Sequence, residues 1–227
     1  AATAGYFART HKVKRKWQLD LGICITKKDA MEDIYKIAVE IGIRKIYPIS
    51  KNSSEQLKGI FKEKKFKKKA TLSFKNHIST KFYIVKSGIL RSFITDDKGK
   101  EFIKFIYTKH AVVGAFSSLI RKKEKNVIID CLTNCDLIEV DFAEFKNLAN
   151  SNQEILQLYN NLLEVLFIKL ENRFYELSSL NATQLYLKFK KDNPGIENLI
   201  PLYHIASYLN ITPVQLSRIR KDLYKTK

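Results

Sequence analysis

The stretch KFYIVKSGILRSFITDDKGKEFIKFIY, residues 81–107, holds three short runs rich in β-branched and aromatic residues, separated only by SG and DDKGK. Runs of this length and composition read as strands, and breaks this short read as antiparallel hairpins. Gly88 and Gly99 fall in the two breaks, where tight hairpins need positive backbone angles. After a polar basic loop, NVIIDCL and CDLIEVD continue the pattern to residue 141. Short strands in close succession with glycine turns predict an antiparallel sandwich or barrel over residues 71–141.

Beyond residue 150 the apolar period changes from about 2 to about 3.6. Ser151 followed by Glu154 predicts a capping box, and Ile155, Leu158, Leu162, Leu166, Leu170, Phe174 and Leu177 share one stripe of a helix of about 28 residues. Tyr159, Leu163 and Phe167 widen the stripe. One small sandwich offers too little surface to cover it, so one face is expected to meet the sandwich and the other a second copy of the chain. Upstream, Ser53 or Ser54 is the expected cap of a short helix EQLKGIF, and the run KEKKFKKK after it reads as a lysine-blunted strand edge or helix end. Residues 31–50, MEDIYKIAVEIGIRKIYPIS, space Ile34, Ile37, Ala38, Ile41 and Ile46 as a leading helix ending at Pro48. Met31 is the only methionine, which makes it a candidate native start with residues 1–30 as an addition.

At 227 residues and 45% apolar content the chain can bury a proper core. It has no apolar run of about 18 residues and no secretory pattern at its start, so a cytoplasmic protein that does not enter the membrane is expected. Cys24, Cys131 and Cys135 lack paired C-x-x-C spacing and predict reduced thiols rather than a disulfide framework or metal centre. The net charge of +18 suits a polyanionic partner, but 33 of the 41 basic residues are Lys spread along the chain, so charge alone does not locate a site.

The C-terminal part is more specific. Asn181 with Gln184 predicts a capped helix ATQLYLKFKKD ending at Asn193-Pro194-Gly195. In YHIASYLNITPVQLSRIRKDL, residues 203–223, a helical pattern breaks once at NITP and restarts. Ala206 is small where two helices would cross, and Ile205, Leu209, Ile211, Leu216 and Ile219 supply a shared core. Asn210 suits a left-handed exit from the first helix, Thr212 caps the second, Pro213 takes its first position and Gln215 completes a capping box. The second helix would then expose Pro213, Val214, Gln215, Ser217, Arg218 and Lys221, as a recognition helix exposes its base-reading side in the major groove. Arg218 can form a bidentate pair with guanine, Gln215 can address adenine or a phosphate, and Arg220, Lys221, Lys225 and Lys227 suit phosphates. Two of the chain's eight Arg lie at 218 and 220.

A β-domain, a long apolar helix and then ASYLNITPVQLSRIRK, with KSGILRSFITDDKGKE in the sandwich, resembles the Crp/Fnr superfamily of bacterial transcription regulators from about residue 54 to 227. The resemblance implies an α+β chain: a cyclic-nucleotide-binding-like β jelly roll over 51–149 after a basic segment and leading helix over 1–50, a dimerisation helix over 150–180, and a helix-turn-helix domain over 181–227. Ser217 and Arg218 match the Ser-Arg pair of the Fnr-like recognition helix, whereas Val214 stands where such proteins often carry Glu. It also implies an effector cassette after Gly114, but Ala115, Phe116, Ser117 and Ser118 supply no carboxylate for a ribose, and Lys125-Asn126-Val127 supplies no Arg for a cyclic phosphate. Gly114, Phe116, Ser117 and Ser118 are therefore candidate effector residues for something other than cAMP.

The leading expectation is a homodimeric, sequence-specific regulator whose partners are double-stranded DNA, a second copy, RNA polymerase as a further candidate, and an unidentified small-molecule effector or none. No cofactor or metal is expected. The alternative is a ligand-binding jelly roll whose terminal helices mediate protein contacts only. An enzyme is not expected, since Gly-rich phosphate loops, H-E-x-x-H and G-x-S-x-G are missing. Residues 31–49 also resemble a segment of the RNA uridine methyltransferases of the knotted SPOUT class, but nothing downstream continues that resemblance.

Overall fold

The computed structural model describes residues 49–225; the leading helix, the candidate start at Met31, the methyltransferase-like segment up to residue 48, Cys24 and Lys227 lie outside the described residues. Among the described residues, eight strands form two four-stranded antiparallel sheets: β1 (Phe61–Phe66), β8 (Cys135–Asp141), β3 (Lys81–Ser87) and β6 (Val112–Val113) in one, β2 (Thr71–Ser73), β7 (Ile128–Cys131), β4 (Leu90–Thr95) and β5 (Glu101–Tyr107) in the other. This is the expected jelly roll. Gly88 and Gly99 have φ of 95° and 78°, as the two hairpins demand.

The strands lack a clean alternation because the first sheet is covered on both faces. Along β3, Tyr83 and Val85 join Leu90, Val113, Ile129, Cys131 and Leu137 between the sheets, while Phe82 and Ile84 face a layer of helices. That layer is α1 (Lys51–Ile60), α2 (Phe116–Arg121), α3 (Phe142–Ser151) and the start of α4 (Gln153–Ser179), packed through Leu57, Leu119, Phe145, Ile155, Leu158 and Tyr159. At the edge of this sheet β1 pairs only with β8 and exposes Lys62 to Lys65, so KEKKFKKK is a charged strand edge as its composition suggests. Cys131 and Cys135 are buried free thiols; their mutual hydrogen bond and burial push the Cys131 thiol up.

Two caps differ from the sequence reading. Ser50, not Ser53 or Ser54, caps α1 by accepting from Ser53 N–H. Ser151 is the last residue of α3, an unanticipated helix, and its hydroxyl donates back to the Asn147 and Leu148 carbonyls. Asn152 caps α4 instead. Glu154 reaches across to α1, accepting from Ser53 Oγ at 2.5 Å and from Ser50 N–H at 2.9 Å. A cap-spacing rule sees only local partners, and here the local carboxylate is taken by a helix about a hundred positions away.

α4 divides its apolar surface by length rather than by face. Ile155, Leu158, Tyr159 and Leu162 are buried against the sandwich, whereas Phe167, Ile168, Leu170, Phe174, Tyr175 and Leu177 are exposed in the single chain. After it come α5 (Ala182–Asp192), with the expected Asn181–Gln184 capping box, a 3-10 turn (Ile196–Asn198), α6 (Leu202–Tyr208) and α7 (Pro213–Lys225). These share a third core of Tyr186, Phe189, Ile196, Ile205, Leu209 and Leu216.

Candidate nucleic-acid interface and sandwich cavity

The turn between α6 and α7 is built residue by residue as its chemistry requires. Leu209 closes α6, and Asn210 takes a φ of 57°. Ile211 N–H then donates to the Ala206 carbonyl at 3.0 Å and Asn210 N–H to the Ser207 carbonyl at 3.1 Å, the paired closure of a Schellman motif. Thr212 Oγ1 accepts from Gln215 N–H at 3.1 Å, and Pro213 begins α7. Ala206, Ile205, Leu209 and Leu216 are fully buried, with Ile211 and Ile219 packed beside them.

With one face of α7 fixed inward, the opposite face is defined. Thr212, Pro213, Val214, Gln215, Ser217, Arg218 and Lys221 are all exposed, and Val214, Ser217, Arg218 and Lys221 follow the 3–4 spacing of one helix face. Arg220 departs from the expected phosphate-facing set. It is half-buried and hydrogen-bonded to Tyr186 of α5, whose hydroxyl donates to Glu197 at 2.6 Å. Arg220 thus ties α7 to α5. The side chain of Lys225 lies outside the described residues.

A polar cluster joins the sandwich to α6. Arg91 on β4 is buried and donates to Asp130 of β7 through Nε at 2.8 Å and Nη2 at 3.0 Å. The same guanidinium pairs with Glu101 of β5 and lies 3.2 Å from Nδ1 of His204 on α6. Its ring-side face stacks on Phe93 at 4.0 Å. Burial alone would lower the Arg91 pKa, but the bonds to Asp130 and Glu101 hold it above its ordinary value. His204 moves the other way: burial first, then the neighbouring Arg91, keep its imidazole neutral, so its Nδ1 can accept. Three residues on, Ser207 Oγ donates to the Glu101 carbonyl and accepts from Ile103 N–H, both at 3.1 Å. Tyr208 completes the contact, with its carbonyl and ring both held by Arg173 of α4. No sequence spacing announces this cluster, because its members come from five separate elements.

In the sandwich, the candidate effector residues are used unequally. Gly114 lies so close to Phe82 that a Cβ would stand 3.0 Å from that residue's own Cβ. Phe116 packs on Phe82, and Ser118 is fully buried, donating to the Lys123 carbonyl at 2.6 Å and accepting from Ser79 N–H at 3.1 Å. These three are taken up in packing and local hydrogen bonds. Ser117 alone of the four lines a cavity of about 540 Å³, with Asn76, Ile94, Lys104, Glu124, Lys125, Asn126 and Val127. Lys104 and Lys125 are its cations and Glu124 its carboxylate; no arginine lines it. The sequence reading did not bring Lys104 or Glu124 to this place, since β5 and the loop before β7 meet only in the folded sandwich. Among the described residues no cluster suits a metal ion, and no helix is long and apolar enough to cross a membrane.

Residues 63–152 match the family described as the cyclic nucleotide-binding domain. No curated protein sequence matches the chain. Solved structures do, at low identity. FixK2 from Bradyrhizobium japonicum is 15% identical, with a TM-score of 0.63, over 74% of this chain and 86% of that one. The c-di-GMP responsive global regulator CLP of Xanthomonas campestris is 15% identical, with a TM-score of 0.59, over 78% and 93%. A putative transcriptional regulator of the Crp/Fnr family from Eubacterium rectale gives 15%, 0.59, 78% and 85%. Residues 63–152 are thus similar to the cyclic nucleotide-binding domain, and the chain has the fold of these solved regulator structures.

Proposed function

We propose that the protein is a sequence-specific DNA-binding transcription regulator that acts as a homodimer. The observation that carries this reading is α7: one face locked in the core, the other presenting Val214, Gln215, Ser217, Arg218 and Lys221 together to solvent. A helix held this way can enter a major groove as a rigid body, with Arg218 reading guanine and Lys221 positioning on phosphate. Thr212 and Pro213 set the start of the helix, and Arg220 supports it from behind rather than touching the nucleic acid. The exposed apolar half of α4 supports dimerisation, since six large apolar side chains in one segment exceed what a lone soluble helix carries. Two recognition helices related by two-fold symmetry would read half-sites centred about 10 bp apart or a multiple of that.

The sandwich is the sensory part. Its cavity is lined by Lys104, Lys125 and Glu124 but offers no guanidinium for a buried cyclic phosphate, which supports an effector other than cAMP. RNA polymerase is a further candidate partner, and the cytoplasm is the compartment such a role requires.

Selection of binding sites from random duplex DNA tests the reading. A palindromic consensus, with affinity falling steeply as salt rises, is the expected result. Recovery of no consensus, with equal affinity for all duplexes, would leave the alternative of a ligand-binding jelly roll with protein contacts only.

A further inference from the structure

The cluster around Arg91 lies where the sandwich meets α6, next to the hold of Arg173 of α4 on Tyr208. β5 is the edge strand of its sheet, so its outward backbone groups have no strand partner. Ser207 satisfies two of them, the Glu101 carbonyl and the Ile103 N–H, as a strand would. His204 accepts from Arg91 one helical turn earlier, and Arg173 grips the next residue, Tyr208. All three anchors fall on α6, a helix of seven residues, and none on α7. The outward face of α7 stays exposed while they are made. They do not hide the candidate reading face but set where it points.

The same two strands also meet the cavity. Ile94 of β4 and Lys104 of β5 line it, while Arg91 and Phe93 of β4, stacked on one another, lie on the side that carries the cluster. Lys104 is the extra residue of β5 where the register with β4 shifts between Ser92 and Phe93; it lines the cavity and directly follows Ile103, whose N–H is held by Ser207. The cluster also resists partial adjustment. Arg91 is shared between two carboxylates and an imidazole, and withdrawing any one leaves a guanidinium N–H short of an acceptor, which favours two discrete arrangements over a gradual shift.

We propose that Arg91, Glu101, Asp130, His204 and Ser207 form a latch that fixes the orientation of the α6–α7 pair on the sandwich. The consequence for DNA rests on the proposed function. In a dimer joined along α4, the latch sets the distance between the two recognition helices, and so the half-site spacing that is bound.

The test uses the full chain with His204→Phe and Ser207→Ala, singly and together, leaving Arg91 and its carboxylates in place. Hydrogen exchange reads the latch without DNA: the Ile103 amide is expected to exchange roughly tenfold faster in the double variant, while amides at the centre of β3 and β8 keep their protection. On DNA, the parent's preference for its selected half-site spacing over one altered by about half a turn is expected to fall at least fivefold, with affinity for a single half-site unchanged. Unchanged exchange at Ile103 overturns the latch, as does faster exchange with the spacing preference intact. Equal loss on single and paired half-sites also overturns it, because the α6–α7 pair would then have been damaged rather than released. If the parent binds no duplex specifically, the functional reading fails, and the exchange of Ile103 decides the latch alone.

Discussion

Arg218 is exposed on the same face as Val214, Ser217 and Lys221, so its removal should touch recognition and little else. Arg218→Ala is expected to lower specific binding by about 1–3 kcal/mol and relax base preference at one position per half-site, measured by titrating operator and point-mutated duplexes. Gly88 is the opposite kind of residue, with no role beyond geometry. Its φ of 95° and a would-be Cβ 2.4 Å from the Asn134 carbonyl oxygen leave no room for a side chain. Gly88→Ala should destabilise the fold by about 2–4 kcal/mol, read from the urea midpoint, with the strain of the left-handed backbone adding to overpacking. Local chemistry of this sort was legible in the sequence: Gly88, Asn210, Thr212 and Pro213 each sit where their backbone preference requires. Arg220 was not, because its partner Tyr186 lies a helix away and nothing near 220 signals it.

For the elements, periodicity located the strands of residues 81–107 and the long helix, while short pieces such as β2, β6 and α2 escaped because so few residues cannot display a period. The capping signals divide in the same way. Asn181 and Gln184 satisfy each other within α5, so Asn181→Ala should cost about 1 kcal/mol in chemical denaturation. Glu154 is instead the bridge from α4 to α1, a role visible only once Ser50 and Ser53 are beside it. The apolar stripe of α4 was read correctly, but not its division by length. Its exposed half makes a sharp expectation: Phe174→Glu places a charge in the middle of that surface and should shift the sedimentation profile from dimer to monomer at micromolar concentration. The melting temperature of the sandwich, which packs only on the first turns of α4, should stay nearly constant.

At the scale of the whole molecule, the docking of the α6–α7 pair depends on a hydrogen bond between residues 113 positions apart, which no local pattern encodes. It depends also on the protonation of His204. Burial and then Arg91 depress its pKa from the ordinary 6.5, with Lys68 acting in the same sense and Glu101 and Asp130 opposing. A depressed value means that the folded chain resists a proton the unfolded chain accepts. As pH falls below 6.5 the unfolded state binds more protons, so stability declines until the folded imidazole is itself protonated. Stability should therefore be flat in this respect above about pH 7 and slope downward between about pH 6.5 and 5, before carboxylates such as Glu154 begin to contribute. The difference between the parent and His204→Phe, followed by denaturant midpoint across that range, removes what the other histidines add. A difference that narrows as pH falls identifies His204 as the buried neutral acceptor, and a constant difference would mean that Arg91 holds α6 without it.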